Sequence, residues 1–275
     1  MDKKLLMKLA VFVLVVGLSG AAWSLEFSDD FNTPHDYRAD GVAKTGWDGF
    51  VGKSAGETVD VLQADINHPN ELYIKSTGSH WDAPWKPLGP FLYKEVTGDF
   101  IATVHVADYI GLDTHTQVNH NNCGLMARAS RDPNNDVAGT GEDWVSIDYF
   151  PIWGVGIIAR HCDNGSRTED VGGDGKAWDA DRYLQLERRG NTFYLRTSPD
   201  GKKWREYPDP AFTGLERADF DGLPLQVGLF HATYSDNTGY AAFDDFSIKP
   251  VVKVKPPPTE DKIGKDANTA ATADN

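Results

Sequence analysis

Five polar side chains recur at alternate positions within otherwise apolar runs: His105, Arg128, Asp148, Arg160 and Glu187. An imidazole, two guanidinium groups and two carboxylates supply donors and acceptors of both charges. Brought to one surface, they suit a polar groove for a hydroxyl-rich ligand, or acid–base chemistry on such a ligand. Trp81 and Trp85 lie in a proline- and glycine-rich stretch, residues 78–90. Indole rings exposed at the rim of a groove stack on the apolar faces of sugar rings; tryptophans that plug the end of a sandwich core are the alternative for both. Trp153, in a short turn segment, is a further rim candidate; Trp204, just after an Asp-Gly turn, is expected in the core. Two Asp-Asp-Phe runs, residues 29–31 and 244–246, frame the central segment. If the chain ends pair, Asp30 and Asp245 come together and offer oxygen ligands to a calcium ion; charges guarding an edge strand are the alternative. His115, His120 and His161 lack metal-ligand spacing and read as polar loop histidines.

The elements that position these residues are strands. Residues 100–107 (FIATVHVA) and 144–150 (WVSIDYF) alternate between apolar and polar, and residues 123–129, 155–162, 183–189, 193–198 and 225–232 are short β-rich runs between turn signals. Asp200-Gly201 and Gly190-Asn191 mark hairpin turns. Helical periodicity is nearly absent. Period-two parity turns Leu125, Ala127, Val145, Ile147, Tyr149, Val155, Ile157, Ala159, Val104, Val106, Leu184 and Leu186 inward. The same parity turns His105, Arg128, Asp148, Arg160 and Glu187 outward. If their strands are neighbours, the five share one outer face, with Arg128, Asp148 and Arg160 as a row of alternating charge. A solvated face with weak cross-strand pairs is the plain alternative to a groove floor. An up-down-up order of the runs at 123–129, 144–150 and 155–162 places Cys123 and Cys162 at opposite ends of the sheet. A disulfide needs Cα atoms within about 7 Å, so both thiols are expected free. Residues 78–90, 111–122, 130–143 and 163–181 read as long irregular segments.

The chain has 275 residues. Residues 1–24 begin with Lys3, Lys4 and Lys8, continue through a short apolar run and end on small residues at Ala22 and Ser24. This is the pattern of a signal peptide, too short in its apolar part to span a bilayer unaided. An uncleaved anchor is the alternative, and either one sends the remainder of the chain across a membrane. Residues 251–275, with three consecutive prolines and no apolar period, read as a disordered tail. Residues 25–250 then form one β-sandwich domain, with no transmembrane segment after signal cleavage. The net charge of −14, from 41 acidic and 27 basic residues, repels polyanions and excludes nucleic acid as a partner.

The order of motifs carries a resemblance. FSDDF (27–31), APWKPLGPFLYKEVTGDF (83–100), CGLMARAS (123–130), YLQLERRGNTFYLRTSPDGKKW (183–204), VGLF (227–230) and AAFDDFSI (241–248) succeed one another across residues 25–250. Together they resemble the concanavalin A-like domains of bacterial extracellular proteins of unknown function. The resemblance implies an all-β fold, a two-sheet antiparallel β-sandwich of the jelly-roll kind related to legume lectins and jelly-roll glycanases. It implies no single activity, because the fold hosts binding modules, glycoside hydrolases and polysaccharide lyases. The Glu-x-Asp-x-x-Glu strand of the hydrolases is missing: Asp148 stands alone, with Ser146 in place of a second acid, and Glu187 would have to complete a pair about 5–10 Å apart. His105, Arg128 and Arg160 match the lyases in residue type without their motifs. Related jelly rolls also carry a structural calcium near the termini. The expectation is an exported domain that binds a polysaccharide or other glycan on its outer sheet face and loop aromatics, with catalytic residues unassigned and no organic cofactor. A glycan-cleaving enzyme using the same face is the alternative, and a surface or envelope structural protein is a third reading.

Overall fold

The computed structural model describes residues 26–52, 59–81, 88–109, 121–129, 142–150, 156–163, 166–173, 180–208, 212–233 and 238–251. They form two antiparallel sheets. The larger has ten strands. Along its main path run β14 (Arg205–Glu206), β13 (Thr192–Ser198), β12 (Tyr183–Arg189), β7 (Phe100–Tyr109), β17 (Thr238–Pro250), β5 (Leu72–Thr77), β4 (Val59–Ala64) and β2 (His35–Asp36). Off that path, β1 (Phe27–Asp29) pairs with β17 and β15 (Leu215–Glu216) with β13. The smaller sheet has seven strands: β11 (Ser166–Gly173), β10 (Ile157–Asp163), β9 (Trp144–Tyr149), β8 (Asn122–Ala129), β16 (Leu225–Ala232), β6 (Phe91–Val96) and β3 (Gly49–Val51). The one α-helical turn among the described residues, Tyr37–Asp40, is capped by Asp36. The architecture is all-β, a two-sheet antiparallel sandwich, the fold class expected from the sequence.

Alternation builds the core. The inward residues of β7, β8, β9, β10 and β12 expected from parity are all buried in one cluster between the sheets, closed by Phe193, Phe243, Phe246 and Trp47. Outward-facing partners do not enter it, because a one-residue slip would flip every side chain. The first and last strands pair, with Asp29 opposite Phe246. The up-down-up order also holds. Cys123 lies opposite Tyr149 at one end of β8–β9, while Cys162 lies opposite Trp144 at the other end of β9–β10. No disulfide joins the two cysteines, both of which are buried, and burial pushes the Cys123 thiol well above its ordinary range.

Three expectations change. First, the five outward polar residues do not share a face. His105 and Glu187 belong to the ten-stranded sheet, and Arg128, Asp148 and Arg160 to the seven-stranded one. The chain crosses between sheets after β7, which pairs with β12 and β17 rather than with β8. The two outer faces point away from each other. Second, the outer face of the smaller sheet is not solvated. Trp81, Leu88, Phe91, Met126, Trp144, Cys162 and Phe230 form a second buried apolar cluster there. Third, the stretch 163–181 contains β11, a polar edge strand with no apolar alternation to announce it, paired to β10 with register shifts. Trp85, His115, His120, Trp153 and Val155 lie outside the described residues.

Candidate functional site

On the smaller sheet, Asp148 and Arg160 form a buried pair. Arg160 sits opposite Ser146, two positions from Asp148 along β9. Its Nη2 donates to Asp148 Oδ2 at 2.7 Å and its Nε to Oδ1 at 3.3 Å. Asn122 Nδ2 (3.0 Å) and Ser146 Oγ (2.8 Å) also donate to that carboxylate. Burial holds the Asp148 carboxyl above its ordinary range, opposed by Arg160 and by the Asn122 and Ser146 hydrogen bonds. Arg128 does not join the row. It lies opposite Trp144, too far along the strand, and instead donates through Nε and Nη2 to Glu142 at 2.6 and 2.8 Å and through Nη1 to Gln226 at 3.1 Å. Trp81 is fully buried rather than a rim platform. It meets Phe91 edge-on at 5.6 Å, lies under the Arg128 guanidinium at 5.5 Å, and accepts a hydrogen bond from Trp144 Nε1 at its carbonyl. Charge here is paired and desolvated.

The larger sheet is half-open, and its outer face carries a cleft of about 380 Å3. Tyr183 of β12 and Trp204, at the turn into β14, supply its aromatic surfaces. Thr103, Gln185, Asp245, Ser247 and Lys249 supply hydroxyl, amide, carboxylate and ammonium groups. Gly201 is required at the turn. Its φ is 66°, and a Cβ there would lie 3.0 Å from Tyr183 Cδ1, against the ring that lines the cleft. Trp204 is therefore a half-buried cleft residue and not a core one, because the Asp200 side chain, accepting from the Lys202 and Lys203 amides, tightens the turn and leaves the indole beside the sheet.

His105 borders this cleft through Tyr183. The two residues are directly opposed across β7 and β12, and their rings stack at 4.4 Å and 23°. On the other side His105 faces Asp244, to which its Nδ1 donates at 2.5 Å. The side chains of His105 and Asp244 remain 17% and 31% exposed, so the pair is accessible where Asp148–Arg160 is not. Burial first, then the charges of Asp244, Asp245 and Asp200, hold the Tyr183 phenol above its ordinary range. Glu187 shares the face but is buried beneath Arg189 and Arg196, both of which donate to it. Asp148 and Glu187 thus stand on outer faces of opposite sheets and cannot act on one bond; His105 and Arg128 are separated in the same way. Tyr183 has the outward parity of Gln185 and Glu187, which is the signal that could have found it.

A larger cleft, about 520 Å3, opens beside the helical turn. His35 Nε2 is engaged with the Gly41 carbonyl at 2.7 Å, and Asp29 accepts from Trp47 Nε1 and Phe31 N, each at 2.8 Å. His35 and Asp29 are thus engaged internally, and Asp40 and Lys44 also line this cleft. Asp30 and Asp245 do line one small cleft together with Ser28 and Ser247. The acidic triple Asp143, Asp163 and Asp219 converges elsewhere. Arg217 already supplies a cation there, donating to Asp219 through Nε at 2.9 Å and Nη2 at 2.6 Å, and to the Trp144 and Cys162 carbonyls.

No family model matches the sequence, and no curated protein matches it. Among solved structures the chain is similar to a functionally unknown protein from Saccharomyces cerevisiae, with 12% identity and a TM-score of 0.51 over 76% of this chain and 98% of that one. It is also similar to the GH43 protein BlXynB from Bacillus licheniformis, with 16% identity and a TM-score of 0.53 over 81% of this chain and 39% of that one, so it spans well under half of that protein. At these identities the likeness establishes a shared sandwich fold, and the fold alone.

Proposed function

We propose that the protein is an exported carbohydrate-binding domain that takes a glycan in the cleft between Tyr183 and Trp204. The observation that carries this reading is the composition of the cleft: two aromatic surfaces set among hydroxyl, amide and charged groups on a half-open sheet face. Sugars present apolar ring faces edged by hydroxyls, and such a surface matches both. Export is supported by the N-terminal pattern. The sandwich shared with a GH43 protein accords with a carbohydrate setting without assigning an activity. Arg128, Asp148 and Arg160 have structural roles in this reading, while His105 and Asp245 remain at the ligand. A glycan panel with the mature domain tests it. Trp204→Ala should weaken binding of any hit by roughly tenfold, as loss of an aromatic contact worth about 1–1.5 kcal/mol requires. Unchanged binding by that variant would reject the cleft.

A glycan-cleaving enzyme is the second reading, and one observation favours it. His105 is an accessible imidazole oriented by Asp244 and placed against Tyr183 beside the cleft. New reducing ends or unsaturated products from a bound polysaccharide would establish this reading in place of the first. For calcium, the cleft of Asp30 and Asp245 is the proposed seat. Two carboxylates and two serine hydroxyls offer part of the six to eight oxygens the ion takes, with water completing the shell. Added calcium should then raise the melting temperature and Asp30→Asn should abolish the rise; no shift on calcium addition or chelation would discard the site.

A further inference from the structure

We propose that one end of the sandwich holds an integral water site between Asn121 and His231, through which the two sheets are tied together. The site begins with parity. Leu225, Val227 and Leu229 of β16 face the core between the sheets, and His231 continues that row. Cys123, Leu125 and Ala127 of β8 face the same core, and Asn121 continues theirs one step before the strand begins. In the register of β8 and β16, His231 lies opposite Cys123 and Ala232 opposite Asn122. The imidazole and the Asn121 amide therefore enter the core as diagonal neighbours from one sheet. They meet the other sheet at two residues that are themselves directly paired, Ser76 of β5 and Gly239 of β17. His231 Nδ1 meets Ser76 Oγ at 2.7 Å. A Cβ on Gly239 would lie 1.9 Å from Asn121 Oδ1, so the bare glycine is what admits the amide. Directly paired strand residues have Cα atoms ~4.5–5.5 Å apart, which sets the two side chains next to each other.

Asn121, His231, Ser76, Ser79 and Thr233 are all fully buried. The serines are accounted for: Ser76 Oγ meets Ser79 Oγ at 2.8 Å, and Ser79 Oγ accepts from the Thr233 amide at 3.0 Å. His231 Nε2 and both polar atoms of the Asn121 amide have no hydrogen-bond partner among the described residues. Three such atoms side by side in a dry core would each cost roughly 1–3 kcal/mol. A buried water typically makes about three hydrogen bonds to polar groups of this kind. The chemistry of the walls selects a neutral occupant. Burial holds the imidazole uncharged, down from 6.5 to about 3, and pushes the facing Cys123 thiol up, so that it keeps its proton. Among the described residues no carboxylate hydrogen-bonds to Ser76, Asn121 or His231, and a cation here would meet no countercharge. Water also serves either tautomer of His231, because it both donates and accepts.

Water-to-protein cross-relaxation in the isotopically labelled protein tests the site directly. Two probes are suitable: the side-chain amide protons of Asn121, and the carbon-bound Hδ2 of His231, which neighbours Nε2 and lies away from the Ser76 hydroxyl. Both should show cross-peaks to water with the sign of a molecule that tumbles with the protein. Absence of the cross-peak at either group overturns the inference, whatever the variants do. Asn121→Leu supplies an independent reading. With a bridging water, the leucine strands His231 Nε2, so the Hδ2 cross-peak should vanish and the melting temperature should fall by about 2–4 °C, the shift that loss of one buried hydrogen bond gives in a domain of this size. Without one, the same change removes an unsatisfied amide, and an unchanged or raised melting temperature would overturn the inference. Zinc ion added to the wild type should leave both cross-peaks and the melting temperature in place. Loss of the cross-peaks with a rise in melting temperature would put a cation where the water is proposed and overturn it as well.

Discussion

Single residues here show how burial decides what a charge does. Arg160 and Asp148 are fully buried and hold each other with help from Asn122 and Ser146. Removing one partner of such a pair leaves an uncompensated charge in an apolar setting, whereas replacing both by apolar residues of similar volume is often neutral. Arg160→Ala should therefore lower the unfolding free energy by about 3–5 kcal/mol in denaturant titrations, and the double substitution Arg160→Met with Asp148→Leu should recover much of that loss. Equal instability of the single and double variants would show that packing, not charge, is at stake. His105 and Asp244 form a comparable pair on a half-open face, where the same substitutions act on ligand contacts instead. Asp148, Arg160 and His105 are all legible as outward polar residues on apolar strands. The sequence does not tell the closed pair from the open one, because parity gives the direction of a side chain and not what covers it. Trp81 and Trp204 are the clearest instance: the loop indole is buried against Phe91 and Phe230, and the indole expected in the core lines the cleft.

At the scale of elements, strand existence and parity come from local pattern. β12 and β16 have the bounds expected from residues 183–189 and 225–232, and β9 differs by one residue. β11 is hidden in the sequence because its residues, SRTEDVGG, carry no apolar alternation. Sheet membership is not legible either, since the partners of β7 lie about 75 residues or more along the chain. One element carries a consequence for acid stability. His231 near the end of β16 turns inward to β5, where its Nδ1 meets Ser76 Oγ at 2.7 Å, and Ser76 in turn meets Ser79 at 2.8 Å. Burial pushes this imidazole down from 6.5 to about 3. The folded state thus refuses a proton that the unfolded chain accepts. Stability from this group is complete above pH 6.5 and is lost as pH falls from there towards about 3, with a limiting slope of about 1.4 kcal/mol per pH unit. His231→Gln, which keeps a partner for Ser76, should flatten the acid limb of the stability profile relative to the wild type. Parallel profiles across that window would contradict the buried neutral imidazole.

For the whole molecule, the sandwich gives two outer faces with different fates. The seven-stranded sheet closes its face with Trp81, Trp144, Phe230 and paired charges. The ten-stranded sheet leaves its face half-open, with aromatic rings and carboxylates among strands drawn from both ends of the chain. The net charge of −14 sets the field in which any ligand must approach, and it favours neutral or cationic partners. The central claim is that the larger sheet is the glycan face. Chemical-shift mapping of the isotopically labelled domain, titrated with the tightest oligosaccharide from the panel, tests it most directly. The account predicts that the indole N–H of Trp204 and the backbone amides of β12 and β17 shift on binding, while the indole resonances of Trp81 and Trp144 stay in place. Shifts centred on Trp81, Trp144 and the strands β8 to β10, with Trp204 unmoved, would place the ligand on the opposite sheet and contradict it.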